Sequence, residues 1–363
     1  MSQPKSVVGL DVHATQTHAC VLSPETGELS TRRLNGPPRL AVLDHLDELP
    51  RPLIAVYEAG PIGYGLARGA AERGLDVRVC APGSIPRAPN DKIKTDRRDA
   101  GRLARLLLAG ELSFVRVPTP EEEAFRDLAR AREAVRVDLM RARHRLSKFL
   151  LRRELRWEGP RRTWTQLHWE WLRSIRFEDV ASDAVLADYL NAVLQLEQRR
   201  TAAEARIEEH WASSPWAPTI AGLRCMKGIN TLSALGLCSE AGDLRRFERP
   251  TALSAYFGLV PREYSSGDQF RRGPITKAGS SHARRLLVEA AQQYRHRPAV
   301  GELLKRRQKG ADPRACEIAW RAQHRLYGRW RRLRLERGKP ANTTVMAMAR
   351  ELGCFVWEVG QLD

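Results

Sequence analysis

Paired cysteines are missing from this chain. Its six cysteines, Cys20, Cys80, Cys225, Cys238, Cys316 and Cys354, are scattered without a single Cys-x-x-Cys pair. That spacing argues against a disulfide framework and a structural zinc site, and fits small buried residues of a reducing compartment. Long apolar runs are missing too, since none approaches the ~18 residues of a membrane-crossing helix. Met1-Ser2-Gln3-Pro4-Lys5 leads directly into an apolar strand, so no signal peptide, no membrane contact and a cytoplasmic location are expected. Acidic residues are in deficit. Lys and Arg number 61 against 43 Asp and Glu, for a formal charge of +18 and a pI near 10.3. Such a balance calls for a polyanionic partner.

The deficit is uneven. Residues 1–115 carry 15 basic and 13 acidic residues, which leaves 46 against 30 beyond them. A length of 363 residues is enough for two or three domains with real cores. Three are expected: an α/β domain over 1–115, a helical connector over 116–215, and a mainly helical domain over 216–363. In the first, Val7–Val12, Thr17–Leu22 and Glu28–Leu34 predict strands, Pro37–Leu49 a helix and Leu53–Glu58 a buried strand. Ile62–Arg73 then predicts a helix closed by Gly74, Asp76–Cys80 a strand, and Thr95 the cap of a helix from Asp96 to about Ala109. The order β-β-β-α-β-α-β-α is that of the ribonuclease-H-like fold.

The connector shows two heptad seams. One runs Leu128, Ala131, Val135, Leu139, Ala142, Leu146, Phe149; the other runs Leu186, Tyr189, Val193, Leu196, Arg200, Ala203, Ile207. They predict two long helices, either an antiparallel hairpin or a dimerising coiled coil, with Trp157, Trp164, Trp169 and Trp171 in an irregular tip between them. Further on, Leu223 to Thr231 resembles the turn of a helix-hairpin-helix, whose glycine admits a phosphate to backbone N–H groups.

Two clusters carry chemistry. Asp11 and Glu58 end apolar strand runs, and Asp96 and Asp99 open a helix three residues apart, so their side chains share a face. Like charges so placed repel, and one or two Mg²⁺ (or Mn²⁺) held by these oxygens would offset the cost and activate a phosphodiester. The same acids also suit plainer roles: Asp96 and Asp99 at a helix N-terminus, Asp11 in a turn, Glu58 paired with an arginine. Lys92 and Lys94 are candidate phosphate contacts. The second cluster is Ser265-Ser266-Gly267, expected in a loop among Arg262, Arg271, Arg272 and Lys277, with Arg285 further along. A serine attacking phosphorus needs such guanidinium groups around the developing charge. A Ser-Gly turn in a DNA-contacting loop would look the same.

Gly9-Leu10-Asp11-Val12-His13, Tyr57-Glu58-Ala59-Gly60 and Lys94-Thr95-Asp96-Arg97-Arg98-Asp99-Ala100 resemble the DEDD motif of one group of bacterial transposases. Tyr256-Phe257-Gly258-Leu259-Val260-Pro261, Ser265-Ser266-Gly267 and Gly273-Pro274-Ile275-Thr276-Lys277-Ala278-Gly279 resemble that group's C-terminal domain. The group is the insertion sequence one-hundred-and-ten family, the bridge-RNA-guided recombinases, and the resemblance spans nearly the whole chain in order. It implies a RuvC-like first domain, a coiled-coil connector and a C-terminal domain with a nucleophilic serine. It further implies homo-oligomers in which acids of one protomer meet the serine of another, and a non-coding RNA pairing with donor and target DNA. On this reading Asp11, Glu58, Asp96 and Asp99 are metal ligands. Ser266, the residue before Gly267, is the nucleophile in preference to Ser265. Ala14 departs from the lysine common there, and the Trp-rich tip has no counterpart in the group. A Holliday-junction resolvase using water, or a catalytically decayed nucleic-acid-binding relative, would share much of this pattern.

Overall fold

The structure, a computed structural model, describes residues 4–86, 96–159, 162–266 and 269–362, with backbone alone at 84, 264–266 and 269–272. The chain divides into two compact units, residues 1–119 and 120–363.

The first unit opens with a meander of β1 (Ser6–Val12), β2 (Gln16–Leu22) and β3 (Leu29–Asn35), followed by α1 (Pro38–Asp47). Then come β4 (Leu53–Glu58), α2 (Gly65–Glu72), β5 (Asp76–Cys80) and α3 (Asp96–Leu108). β4 runs parallel to β1, and β5 parallel to β4, giving one sheet of order β3-β2-β1-β4-β5. Helices between parallel strands are the expected crossovers. The Thr95 cap lies outside the described residues, and one detail differs from the sequence reading. The second helix begins at Gly65 because Gly63, at φ +67°, closes a turn onto the Gly60 carbonyl.

The two-residue period of the strands sorts their side chains between the sheet's faces. Val8 and Leu10 of β1 and Ala55 and Tyr57 of β4 join Leu43, Leu46, Leu66 and Ala70 of α1 and α2 in one core. Val7 and Val56 face the other way and join Leu103, Ala104 and Leu107 of α3. Gly9 has the parity of Val7. A Cβ there would stand 2.0 Å from the Ala100 carbonyl oxygen and 2.6 Å from the Ala104 nitrogen. Helix α3 can cross β1 this closely only over a glycine.

In the second unit α4 (Pro120–Leu151) and α6 (Val180–His210) flank the short α5 (Gln166–Ser174). Arg132 pairs with Glu204 and Arg143 with Glu197, so the two long helices run antiparallel, as a hairpin within the chain. Val135, Leu139, Ala142, Leu146 and Phe149 are buried as the seam predicts, with Leu186, Val193 and Ile207 opposite. Ala131 is exposed, and Ala129 is buried in its place. The shift has a cause: the first turns of α4 face the C-terminal helices, where Ala129 packs with Ile207, Ile220 and Leu223.

The rest of the unit is α7 (Ala217–Leu223), α8 (Thr231–Ala241), α9 (Pro250–Tyr256), a hairpin of β6 (Pro261–Ser266) and β7 (Gln269–Ile275), then α10 (Ser281–Ala291), α11 (Glu302–Gln308), α12 (Pro313–Trp330) and α13 (Ala341–Val359). Leu235, Leu287, Leu326, Leu352 and their neighbours form its core. Gly228 (φ +81°) turns the chain between α7 and α8, but a Cβ there would meet the Ala290 carbonyl at 2.8 Å. The glycine therefore accommodates α10 on one side, while the residue itself is exposed. All six cysteines are free. Cys316 and Cys354 are half-buried rather than buried, and Cys316 Sγ lies 3.9 Å from Cys225 Sγ.

Candidate functional site

Strand parity builds the first site. Asp11 shares the face of Val7 and Gly9, and Glu58 shares the face of Val56, which is the face that α3 covers. Both stand one step past Leu10 and Tyr57, the last residues paired between the parallel strands, so they are neighbours at the C-terminal edge of the sheet. Helix α3 crosses the same face and begins with Asp96, with Asp99 one turn on. The Gly9 contact sets how close that helix end comes.

The result is a compact group in which ligand atoms of Asp11, His13 and Asp96 all lie within 4.8 Å of one another. His13 Nε2 stands 3.4 Å from Asp11 Oδ2 and 3.7 Å from Asp96 Oδ2. Burial raises the Asp11 pKa, the imidazole of His13 opposes that, and the charges of Asp96 and Asp99 raise it further. Among the described residues neither Asp11 nor Asp96 meets a lysine or arginine. Asp99 does, with Arg102 at 3.2 Å. Glu58 makes itself felt at Cys80, its partner on β5, whose thiol is pushed up to about 11 by burial and then by that carboxylate.

Carboxylates crowded at a strand end, with no guanidinium between them, are held together against their own repulsion. That donor set fits a divalent cation: oxygen ligands suit Mg²⁺ or Mn²⁺, and an imidazole nitrogen favours Mn²⁺. The sequence reading placed His13 inside a motif and gave it no role. A signal was present, because the residue two positions past Asp11 continues the same side of an extended strand.

The second cluster belongs to the hairpin. Ser265 and Ser266 end β6, with backbone pairing to Phe270 and Gln269, rather than lying in the expected loop. Ladder pairing with β7 absorbs residues that their polarity assigned to a turn. Arg271 and Arg272 pair through their backbones with Tyr264 and Glu263, and the side chains of all four serine and arginine residues lie outside the description. Lys92 and Lys94 also lie outside the described residues. Arg262 is exposed, as is Lys277, which has φ +58°. Arg285 is occupied instead, bonded to Glu133 and Glu289 at 2.7 Å each.

Sequence reasoning missed what anchors this hairpin. Gly258 (φ +67°) and Gly279 (φ +65°) press against the opposite segment: a Cβ would lie 2.3 Å from the Ala278 carbonyl oxygen and 2.1 Å from that of Tyr256. Arg284 donates to the Phe257 carbonyl at 2.8 Å and the Ala278 carbonyl at 2.9 Å, closing the base. Gly258 and Gly279 of the C-terminal motif are thus packing residues.

Comparison with known proteins places the chain. It is 40% identical over 305 residues to the y4qE protein of Sinorhizobium fredii, named as a transposase, with 84% of this chain and 74% of that one aligned. The chain belongs to the IS116/IS110/IS902 family of transposases. Residues 221–305 match that family directly, and residues 8–153 match the DEDD transposase family of IS110 type. The transposase for insertion sequence element IS1533 of Leptospira borgpetersenii is 30% identical over 92% of this chain and 98% of its own length. The transposase for IS1328 of Yersinia enterocolitica is 25% identical, over 80% and 84%. In this transposase the DEDD match covers the acid group, and the second match covers the hairpin.

Proposed function

We propose that this transposase moves its insertion sequence by cutting and rejoining DNA, with a divalent metal, Mg²⁺ or Mn²⁺, held in a ribonuclease-H-like first domain by Asp11, Glu58, Asp96 and Asp99. The convergence of Asp11 and Asp96 on one edge of the sheet, with His13 between them, is the observation that carries this reading. When bound, the metal supplies Lewis-acid polarisation of a phosphodiester and neutralises charge on its oxygens. Asp11, Glu58, Asp96 and Asp99 would bind and orient it, with His13 beside Asp11 and Asp96 and with Asp99 tethered by Arg102.

Ser266 supplies the nucleophile. Its Oγ–P bond forms as the P–O3′ bond breaks, leaving a 5′-phosphoserine and a free 3′ oxygen that takes up a proton. Because one ester replaces another, rejoining needs no nucleotide hydrolysis. Arg262, Arg271, Arg272 and Lys277 serve the phosphate charge. A bridge RNA pairing with donor and target DNA would choose sequence, leaving the protein to grip backbone, and a homo-oligomer would bring Ser266 and the acids to one phosphodiester. The basic balance of residues beyond 115 supports a nucleic-acid grip of steep salt dependence.

The test pairs two variants. Ser266→Ala abolishes the covalent protein–DNA adduct on denaturing gels while Mn²⁺ binding persists. Asp11→Asn abolishes both metal binding and cleavage. DNA cleavage persisting in Ser266→Ala without a covalent adduct would instead make the protein a water-using, resolvase-like nuclease.

A further inference from the structure

The hairpin tip of the second unit holds four tryptophans within 157–171 that the reaction above does not use. Three of them, Trp157, Trp164 and Trp171, line a cavity of about 240 Å³ together with His168 and Arg156, over leucines of α4 and α5. Trp157 and Trp164 meet the His168 ring edge-on, with centroids 5.3 and 5.2 Å away, and Trp171 lies tilted by 30° at 5.4 Å. The volume is below that of a drug-sized ligand site, typically ~300–1,000 Å³. It suits one flat ring system.

His168 is only 4% exposed. Its Nδ1 accepts the Trp164 backbone N–H at 3.1 Å, which leaves the ring proton on Nε2. Among the described residues Nε2 has no acceptor, so one donor of a buried ring is left for a ligand. Burial, and after it Arg143, lowers the His168 pKa and favours this neutral form.

The surroundings select the ligand's charge. Residues 141–159 carry seven Lys/Arg against two acids, and Arg143, itself paired with Glu197, lies over the Trp164 ring at 4.5 Å. An aromatic box of this kind would otherwise suit an alkylated ammonium group, but the field here repels cations. Aromatic walls inside a cationic surface are how single strands are held, with bases stacked and phosphates neutralised.

We propose that the tip pocket takes one unpaired nucleobase of a bound nucleic-acid strand, stacked among Trp157, Trp164 and Trp171 with His168 Nε2 donating to a base acceptor. This rests on the proposed function only in that the partner is nucleic acid. The experiment uses the full chain in EDTA, so that the acid site plays no part, with short unstructured DNA and RNA oligonucleotides. A scan of single abasic positions is expected to reveal one position whose loss weakens binding about tenfold. Photocrosslinking of 5-bromouracil-substituted oligonucleotides, mapped by mass spectrometry, is expected to mark Trp157, Trp164 or Trp171, and the DNA and RNA arms tell which strand supplies the base. His168→Gln, which keeps an N–H donor, retains the affinity that His168→Leu loses. Tight binding with crosslinks only elsewhere and no abasic effect overturns the pocket and leaves the transposase reading intact. Absence of binding by either nucleic acid overturns both. Because crosslinks are read on the unaltered protein, a variant that fails to fold does not obscure the answer.

Discussion

One pair of acids in the first unit is treated differently from two half-buried acids of the second, although Asp44, Asp47, Glu72, Asp76 and Asp99 of the first unit also meet arginines. In the α/β unit Asp11 and Asp96 are gathered with only an imidazole for company, and burial and neighbouring acids raise the Asp11 pKa. In the helical unit Glu133 and Glu240 are answered by arginines. Glu133 meets Arg136 and Arg285 and titrates below its ordinary range, although burial alone would raise it. Burial would raise Glu240 as well, yet His282 (Nδ1 3.8 Å from Oε1) and Arg130 (3.0 Å) bring it to about 2. Glu133 and Glu240 are neutralised by neighbouring arginines, whereas Asp11 and Asp96 are left with an imidazole alone, which is the arrangement the proposed metal site uses.

The contrast can be broken from either side. Replacing Asp11 or Asp96 with asparagine should lower DNA cleavage by roughly a thousandfold, about 4 kcal/mol of barrier, while circular dichroism stays unchanged. Glu240→Gln should cost stability instead. A buried pair loses ~3 kcal/mol or more when one partner goes, read as a lower urea midpoint. The pH dependence has a definite sign. A carboxyl whose folded pKa is depressed stabilises fully above its unfolded value and loses that contribution as pH falls towards the folded one. For Glu240 the window lies between ~4.5 and 2, and Glu240→Gln should flatten it in urea titrations.

Gly9→Ala sharpens the comparison geometrically. With the Ala100 carbonyl 2.0 Å from the new Cβ, α3 must move away from β1. Overpacking of this kind costs about 1–3 kcal/mol, and because Asp96 rides on α3 the variant should also bind Mn²⁺ more weakly by calorimetry. The smallest effect has the opposite sign. Asp11 has a raised folded pKa, so above that pKa its charge works against folding, and protonation or a cation relieves it. In EDTA at neutral pH, Asp11→Asn should therefore melt slightly higher than the unaltered protein, a gain that solvent screening keeps below about 1 kcal/mol.

Much of the first unit was legible because the apolar runs of β1 and β4, the helical spacings and the glycine stops mark its elements in order. What stayed hidden depended on contacts distant in sequence. His13 gains its role only when Asp96 arrives on α3, and Ala129 replaces Ala131 because the start of α4 packs on helices nearly a hundred residues away. Ser265 and Ser266 read as loop because their polarity and the following Gly267 resemble a turn, whereas ladder pairing with β7 extends the strand through both. Gly258 and Gly279 looked like parts of a chemical motif. Their tight backbone contacts, with the bonds of Arg284, make them the anchor of the hairpin.

The decisive measurement is a calorimetric Mn²⁺ titration of the unaltered protein beside Asp11→Asn, Asp96→Asn and Glu240→Gln. Saturable binding should occur in the first and in Glu240→Gln and disappear in both aspartate variants. Undiminished binding in Asp11→Asn and Asp96→Asn would contradict the claim that the unneutralised acids at the edge of the sheet form a metal centre.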